Sequence, residues 1–461
     1  MSREFIMRNI FARNALLPSG WAKDVLVETS EDGLITNVSL KPNGTAQNTV
    51  GILLPSPVNV HSHSFQRAMA GLTESRGPNI IDTFWTWRKL MFRFLNQLTP
   101  EHIEKICAFV QMEMLEAGYA TNVEFHYIHH QPGGIPYEQL EEMTNRIVAA
   151  TLKSGIGLTL LPVHYQYGGC NKSKLAEGQN RFGNTLEQFS LLLERGKKTL
   201  ASLPKDSNSG LAAHSLRAVG QEDFPELVKM AGNNPLHMHL AEQVAEVEEV
   251  LEAWGKRPVE WAIKNLPIDS QWCLIHCTQM LPHEVKELAA TQAIVGLCPI
   301  TEANLGDGIF DGLNWLNNRG SLAIGSDSNI RISLSEEIRA LEYSQRLRDK
   351  SRASLATEDK STARRIFDEI LKGGAKAAKR KTGEIRVGKW ADLISLDENH
   401  INLIQAKDDM ILDCFAFSSN DKMIKDVWSA GRHQVKNGHH INRDSIICEY
   451  SKVIKELGEL I

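Results

Sequence analysis

Eight short apolar runs recur along the chain, and most of them stop at a histidine, glutamate or aspartate. They cover residues 52–60, 120–128, 157–163, 210–213, 235–240, 272–275, 293–297 and 321–324. Short apolar runs of this kind, bounded by polar and turn-forming residues, read as buried strands. Between them the apolar positions recur at helical spacing, as in Ile103, Ile106, Val110 and Met114, in Leu186, Phe189 and Leu193, and in Val285, Leu288 and Ala289. Strand and helix in alternation predict a parallel sheet. Eight such units predict a closed α/β barrel of the (β/α)8 TIM type, whose reacting groups sit at the C-terminal ends of the strands. The polar residues here fall at those ends: His61 and His63, Glu124 to Tyr127, His164, His214 to Arg217, His239 to Glu242, His276, Thr301-Glu302 and Asp327.

The flanks follow another pattern. Residues 1–54 hold short β-type runs around Asn9, Asp24 and Gly33, separated by turn formers. Beyond Asp327 come two helical stretches, from Ser335 and from Thr362 to Lys379. The β pattern then returns over 383–396 and 424–431, with Asn437-Gly438 as a hairpin turn and a closing helix over 444–461. The expected organisation is a small β-sandwich domain built from both chain ends (1–54 and 381–461) flanking a barrel over 55–380.

Composition narrows the class. A chain of 461 residues suits a large barrel with an accessory unit. The net charge of -5 gives no basic footprint for nucleic acid. No apolar run approaches the ~18–20 residues of a membrane span. Charges interrupt the apolar residues before Ala15, so no secretory leader is expected. The seven cysteines form no C-x-x-C pair, and several lie inside apolar runs, as expected of reduced thiols in a cytoplasmic enzyme.

The first candidate chemistry is Val58-Asn59-Val60-His61-Ser62-His63. In a strand, residues i and i+2 face the same way. His61 and His63 therefore aim two imidazoles at one point, as ligands of one divalent metal must. His129, His130, His164 and Cys170 have a metal-like composition but no matching motif, and are expected to be structural.

Several segments together resemble the amidohydrolase superfamily and, within it, the formiminoglutamate deiminases. They are the stretch from Val60 to Gly71, Phe84-Trp85-Thr86-Trp87-Arg88, Glu124-Phe125-His126-Tyr127, His214-Ser215-Leu216-Arg217, His239-Leu240-Ala241-Glu242-Gln243, the stretch from Thr301 to Gly308, and Gly325-Ser326-Asp327-Ser328. The resemblance implies metal-dependent hydrolysis of N-formimino-L-glutamate to N-formyl-L-glutamate and ammonia, a step of histidine degradation. It implies His61, His63, His239 and Asp327 as metal ligands. Three imidazoles and one carboxylate suit zinc, with iron or manganese as alternatives. The fourth strand ends in His214, where relatives with two metals carry a bridging lysine, so one divalent metal per chain is expected. The resemblance also implies His276, Glu242 and Asp327 as catalytic groups. It implies Gln66, Arg88, Tyr127, His214 and Arg217 as substrate contacts, with the two arginines clamping carboxylates. Trp85 and Trp87 are expected to pack. Asn329 stands where many relatives carry histidine. The expected partner is a small molecule with two carboxylates, without nucleic acid or membrane, and a homodimer is expected. Another aminohydrolase such as a guanine deaminase would share the metal set but need an aromatic-ring pocket. A non-catalytic scaffold of this fold would have lost ligands.

Overall fold

The computed structural model describes residues 9–42, 46–74 and 84–459. Four strands open the chain: β1 (Asn9–Leu17), β2 (Gly20–Thr29), β3 (Ile35–Leu40) and β4 (Asn48–Pro55). Then come β5 (Val58–Ser62), β6 (Thr121–His126), β7 (Gly157–His164), β8 (Asn208–Ser209), β9 (Leu211–Ser215), β10 (Leu236–Leu240), β11 (Trp272–His276), β12 (Ile294–Leu297) and β13 (Ser321–Ile324). The last are β14 (Leu393–Leu396), β15 (Ile424–Ser429), β16 (Arg432–Lys436) and β17 (His439–His440).

Parallel pairing runs β6-β5-β13-β12-β11-β10-β9-β7, and β6 also pairs with β7, so eight strands close into the barrel the sequence predicts. The short β8 lies along β7. Strands β5, β6, β7, β10 and β11 are buried along their whole length, as strands covered on both faces must be. Helices such as Pro100–Glu116, Leu186–Leu200 and Pro282–Ala290 occupy the connections and cover the apolar positions read from the sequence.

The second sheet runs β17-β16-β15-β14-β4-β1-β2-β3 and draws on both chain ends. It has a core of its own, including Ile10, Val27, Leu53, Leu393 and Trp428. The turn between β16 and β17 is Asn437-Gly438, both with positive φ (51° and 80°), as a two-residue hairpin with matching twist requires. The closing helix spans Arg443–Gly458.

Two expectations are corrected. The run 52–60 is two strands in different sheets, not one. β4 pairs antiparallel with β14, while β5 enters the barrel. Pro55 and Pro57 lack backbone donors and break the strand. Between them the Ser56 hydroxyl donates to the Gly118 carbonyl (2.7 Å) and accepts from the Ala120 amide (2.8 Å). The stretch 383–396 becomes strand only at Leu393; before it the chain turns, touching β3 through an isolated Leu34–Trp390 bridge.

A buried ion network joins barrel to second sheet. Arg380 donates to both oxygens of Asp392 (2.7 and 2.9 Å) and to Asp206 (2.8 Å), and Arg432 grips Asp206 through two nitrogens (2.8 and 2.7 Å). The side chains of Arg380, Asp206 and Asp392 are at most 2% exposed. Removing one member leaves buried carboxylate charge uncompensated, which costs about 3–5 kcal/mol. Arg380→Met is therefore expected to lower unfolding free energy by about that amount. Denaturant titration beside the wild type checks this, and a loss under about 1 kcal/mol would show that the network contributes little.

Candidate active site

The C-terminal ends of the barrel strands converge on one cavity. His61 and His63 stand on β5 and just beyond it, His239 on β10, and Asp327 just beyond β13. His61 Nε2 lies 3.0 Å from His239 Nε2 and 3.4 Å from Asp327 Oδ1, and His63 Nε2 lies 3.3 Å from the same oxygen. All four are buried. His63 gives its Nδ1–H to the Phe125 carbonyl (3.0 Å) and His239 gives its own to the His214 carbonyl (2.9 Å). Each of those rings thereby turns an Nε2 lone pair toward the centre, the tautomer a metal ligand needs. Burial and the neighbouring imidazoles hold His61 and His239 well below the ordinary histidine range, so they are neutral donors. Three neutral imidazoles and a carboxylate oxygen aimed at one point fit a single divalent cation.

The backbone holds this geometry under strain. Ala241, His276, Cys277, Asp327 and Asn329 all have positive φ, between 46° and 73°. Such clusters of left-handed non-glycine residues gather at functional sites. The Ser326 and Asp327 amides donate to the His61 carbonyl, and the His63 amide donates to the Asp327 carbonyl. Asn329 is fully buried and donates to Ser62 Oγ (3.1 Å) and the Asp327 carbonyl (2.9 Å), while its side-chain oxygen accepts from Ser326 Oγ (2.6 Å). It ties the Asp327 loop to β5, and asparagine tolerates the left-handed backbone there.

His276, at the end of β11, faces the same centre. Its Nε2 lies 3.8 Å from Glu242 Oε1 and 3.9 Å from Asp327 Oδ2. Burial alone would depress this imidazole, but Glu242, Glu302 and Asp327 outweigh it and hold it well above the ordinary range. Glu242 is pushed up to about 7 by burial and the Asp327 charge, against the pull of His276.

The cavity wall contains every expected substrate contact: Gln66, Arg88, Tyr127, His214 and Arg217. Gln66 donates to Tyr127 Oη (3.0 Å), and Arg88 donates to Tyr165 Oη (3.0 Å). Arg88 and Trp87 sit on the helix Phe84–Leu95, and Trp87 lines the cavity rather than only packing. The side chain of Trp85 lies outside the described residues. Burial pulls the Arg88 guanidinium down, and the charge of Arg217 adds to that pull. Both arginines line the same cavity. Tyr165 and Phe182 had no motif to mark them and line the wall; Glu302, in the stretch Thr301 to Gly308 but given no role from sequence, holds His276.

His129 and His130 stay structural, donating to the carbonyls of Val163 (3.0 Å) and Gly183 (2.9 Å). His164 turns outward, its ring against Phe189 and its Nε2 3.6 Å from Asp223. The Cys170 amide donates to Glu249.

The amidohydrolase family model matches residues 52–433. The chain belongs to the amidohydrolase family. A second model, the N-terminal domain of formimidoylglutamate deiminase HutF, matches residues 7–48. The formimidoylglutamate deiminase of Pseudomonas aeruginosa is 43% identical, over 98% of this chain and all of that one. A crystal structure of an amidohydrolase from Brucella melitensis superposes with a TM-score of 0.93 at 41% identity, covering 98% of this chain and all of that one. An adenosine deaminase from Xanthomonas campestris with bound zinc shares the fold, with a TM-score of 0.81 at 18% identity over 98% and 99% of the two chains. Among the described residues of this amidohydrolase, no helix is long and apolar enough to cross a membrane.

Proposed function

We propose that this amidohydrolase hydrolyses N-formimino-L-glutamate to N-formyl-L-glutamate and ammonia in histidine degradation. The observation that carries the reading is one cavity that brings His276, Glu242 and Asp327 together with two arginines, Arg88 and Arg217, in its wall. A substrate with two carboxylates matches two planar guanidinium groups in one wall. A planar purine offers no carboxylate to either guanidinium fork, which disfavours a guanine deaminase. The full-length likeness to a formimidoylglutamate deiminase supports the same substrate.

The reaction adds water to the formimino carbon and breaks the bond to its terminal nitrogen. Atoms balance as amidine plus water giving formamide plus ammonia. His61, His63, His239 and Asp327 would hold one divalent ion, with zinc the first candidate for this donor set. Such an ion supplies Lewis acidity, lowering the pKa of water from ~15.7 towards ~7. Asp327 takes the proton of the attacking water through its outward oxygen. His276 orients that water and stabilises the charge that develops beside it. Glu242, whose carboxyl is raised to about 7, hydrogen-bonds the formimino nitrogens and passes a proton to the departing ammonia. Arg217, with Arg88, Tyr127, His214 and Gln66, holds the glutamyl end so that the reacting carbon stays over the floor.

Arg217→Met tests the clamp. Leaving a substrate carboxylate poorly paired in a desolvated site costs ~2–5 kcal/mol. The expected fall in kcat/KM for N-formimino-L-glutamate is therefore roughly 30- to 4000-fold, with metal content unchanged. Unchanged kcat/KM would place the carboxylate elsewhere. Loss of metal together with activity would give Arg217 an architectural role.

A further inference from the structure

We infer that Glu302 is a positioning residue for this reaction: it fixes the orientation of His276. The inference rests on the deiminase reading and adds to it a residue that never touches substrate. His276 Nδ1 lies 3.1 Å from Glu302 Oε1, and both side chains are buried. A carboxylate at that distance accepts the Nδ1–H and leaves Nε2 as the nitrogen facing Glu242 and Asp327. Rotating the ring would break the Nδ1 contact with Glu302, the only charged contact of Nδ1 among the described residues, and would bury a carboxylate without it.

The carboxylate is itself held. The Cys298 amide donates to the same Oε1 at 2.8 Å, and the Glu302 amide donates to the Cys298 carbonyl at 2.8 Å. Glu302 sits in the short helix Pro299–Leu305 that follows β12. Its neighbours fasten that helix to the other two sides of the floor. Thr301 Oγ1 bonds Ser328 Oγ at 2.9 Å and accepts from the Ser328 amide at 3.3 Å, next to Asp327. Beyond the helix, the Asp307 amide donates to the Glu302 carbonyl, and the Asp307 side chain receives Gln243, next to Glu242. One segment thus braces the loops that carry Asp327 and Glu242 and grips His276 directly. His276 needs that grip, because its backbone sits at φ 73°, a conformation a β-strand end does not otherwise hold.

The test is a double-mutant cycle read by ammonia release from N-formimino-L-glutamate. Glu302→Leu is expected to lower kcat by about 10- to 100-fold, the scale for a partner that orients an active-site imidazole, with KM and bound metal within about threefold of wild type. Glu302→Gln, which keeps the volume and an acceptor oxygen, should recover part of that loss. In a His276→Ala background the same changes should alter kcat by less than about threefold, because the group they orient is gone. If Glu302→Leu does not fold, Glu302→Gln carries the cycle alone: a several-fold loss in the wild type and none beside His276→Ala. Equal losses in both backgrounds, an unchanged kcat, or a kcat loss matched by metal loss would overturn the positioning role. A wild-type protein that releases no ammonia from this substrate would instead sink the deiminase reading itself.

Discussion

Asp327→Asn is expected to abolish ammonia release, by about 10⁴-fold or more, the scale on which one member of a cooperative catalytic set is felt. Asp327 does more than any other residue at this floor. Its Oδ1 lies 3.4 Å from His61 Nε2 and 3.3 Å from His63 Nε2, and its Oδ2 faces His276. Its backbone is bonded to β5 in both directions, through the His61 carbonyl and the His63 amide. An amide in its place offers a weak ligand and no base. The wild type is expected to carry about one equivalent of divalent metal per chain, since the residues form one converging donor set. The variant should carry much less. Metal analysis and turnover on the same preparation check both halves. A variant that keeps full metal and near-wild-type turnover would remove Asp327 from the mechanism.

Glu242→Gln is expected to lower kcat by ~10²- to 10⁴-fold while metal stays bound. Glu242 belongs to no ligand pair, yet it faces His276 across 3.8 Å in a buried pocket. Burial raises its carboxyl to about 7, so it both accepts and releases a proton near neutrality. Glutamine keeps its shape and hydrogen bonds but cannot carry the proton to the leaving nitrogen. Because the lost interaction belongs to the transition state, kcat should fall and KM change little. A KM increase with kcat intact would make Glu242 a binding residue only.

Most of the barrel and its floor were legible because both follow a short-range rule. A parallel strand reads as an apolar run, and the barrel puts its chemistry where the run stops. That rule located His61, His63, His239, His276 and Asp327 directly. The misreadings have physical causes. Pro55 and Pro57 interrupt the run 52–60 and divide it between two sheets, although apolar residues flank them on both sides. Residues 383–392 have a β-like composition, but they spend their hydrogen bonds on turns and on scattered backbone bonds to Gly33, Ile35, Ser56 and Gly431 rather than on a continuous ladder. Glu302 was visible as a polar residue after a strand and as part of the stretch Thr301 to Gly308, but not as the partner of His276. Its partner His276 lies 26 positions away, and nothing local marks the pair. Tyr165 likewise finds Arg88, 77 positions off, as a hydrogen-bond partner in the wall. Asn329 looked like a departure from relatives; its three hydrogen bonds at positive φ make it a fastening of the metal-side loop.

The most direct test of the account is a substrate comparison with product identification. The purified protein would be given N-formimino-L-glutamate, N-formimino-L-aspartate and guanine, with released ammonia quantified and the organic product identified by mass. The expected result is ammonia and N-formyl-L-glutamate in equal amounts from the first substrate. The aspartate analogue, one methylene shorter between its carboxylates, should react less well, and guanine should give no ammonia. Ammonia from guanine with none from N-formimino-L-glutamate would contradict the account.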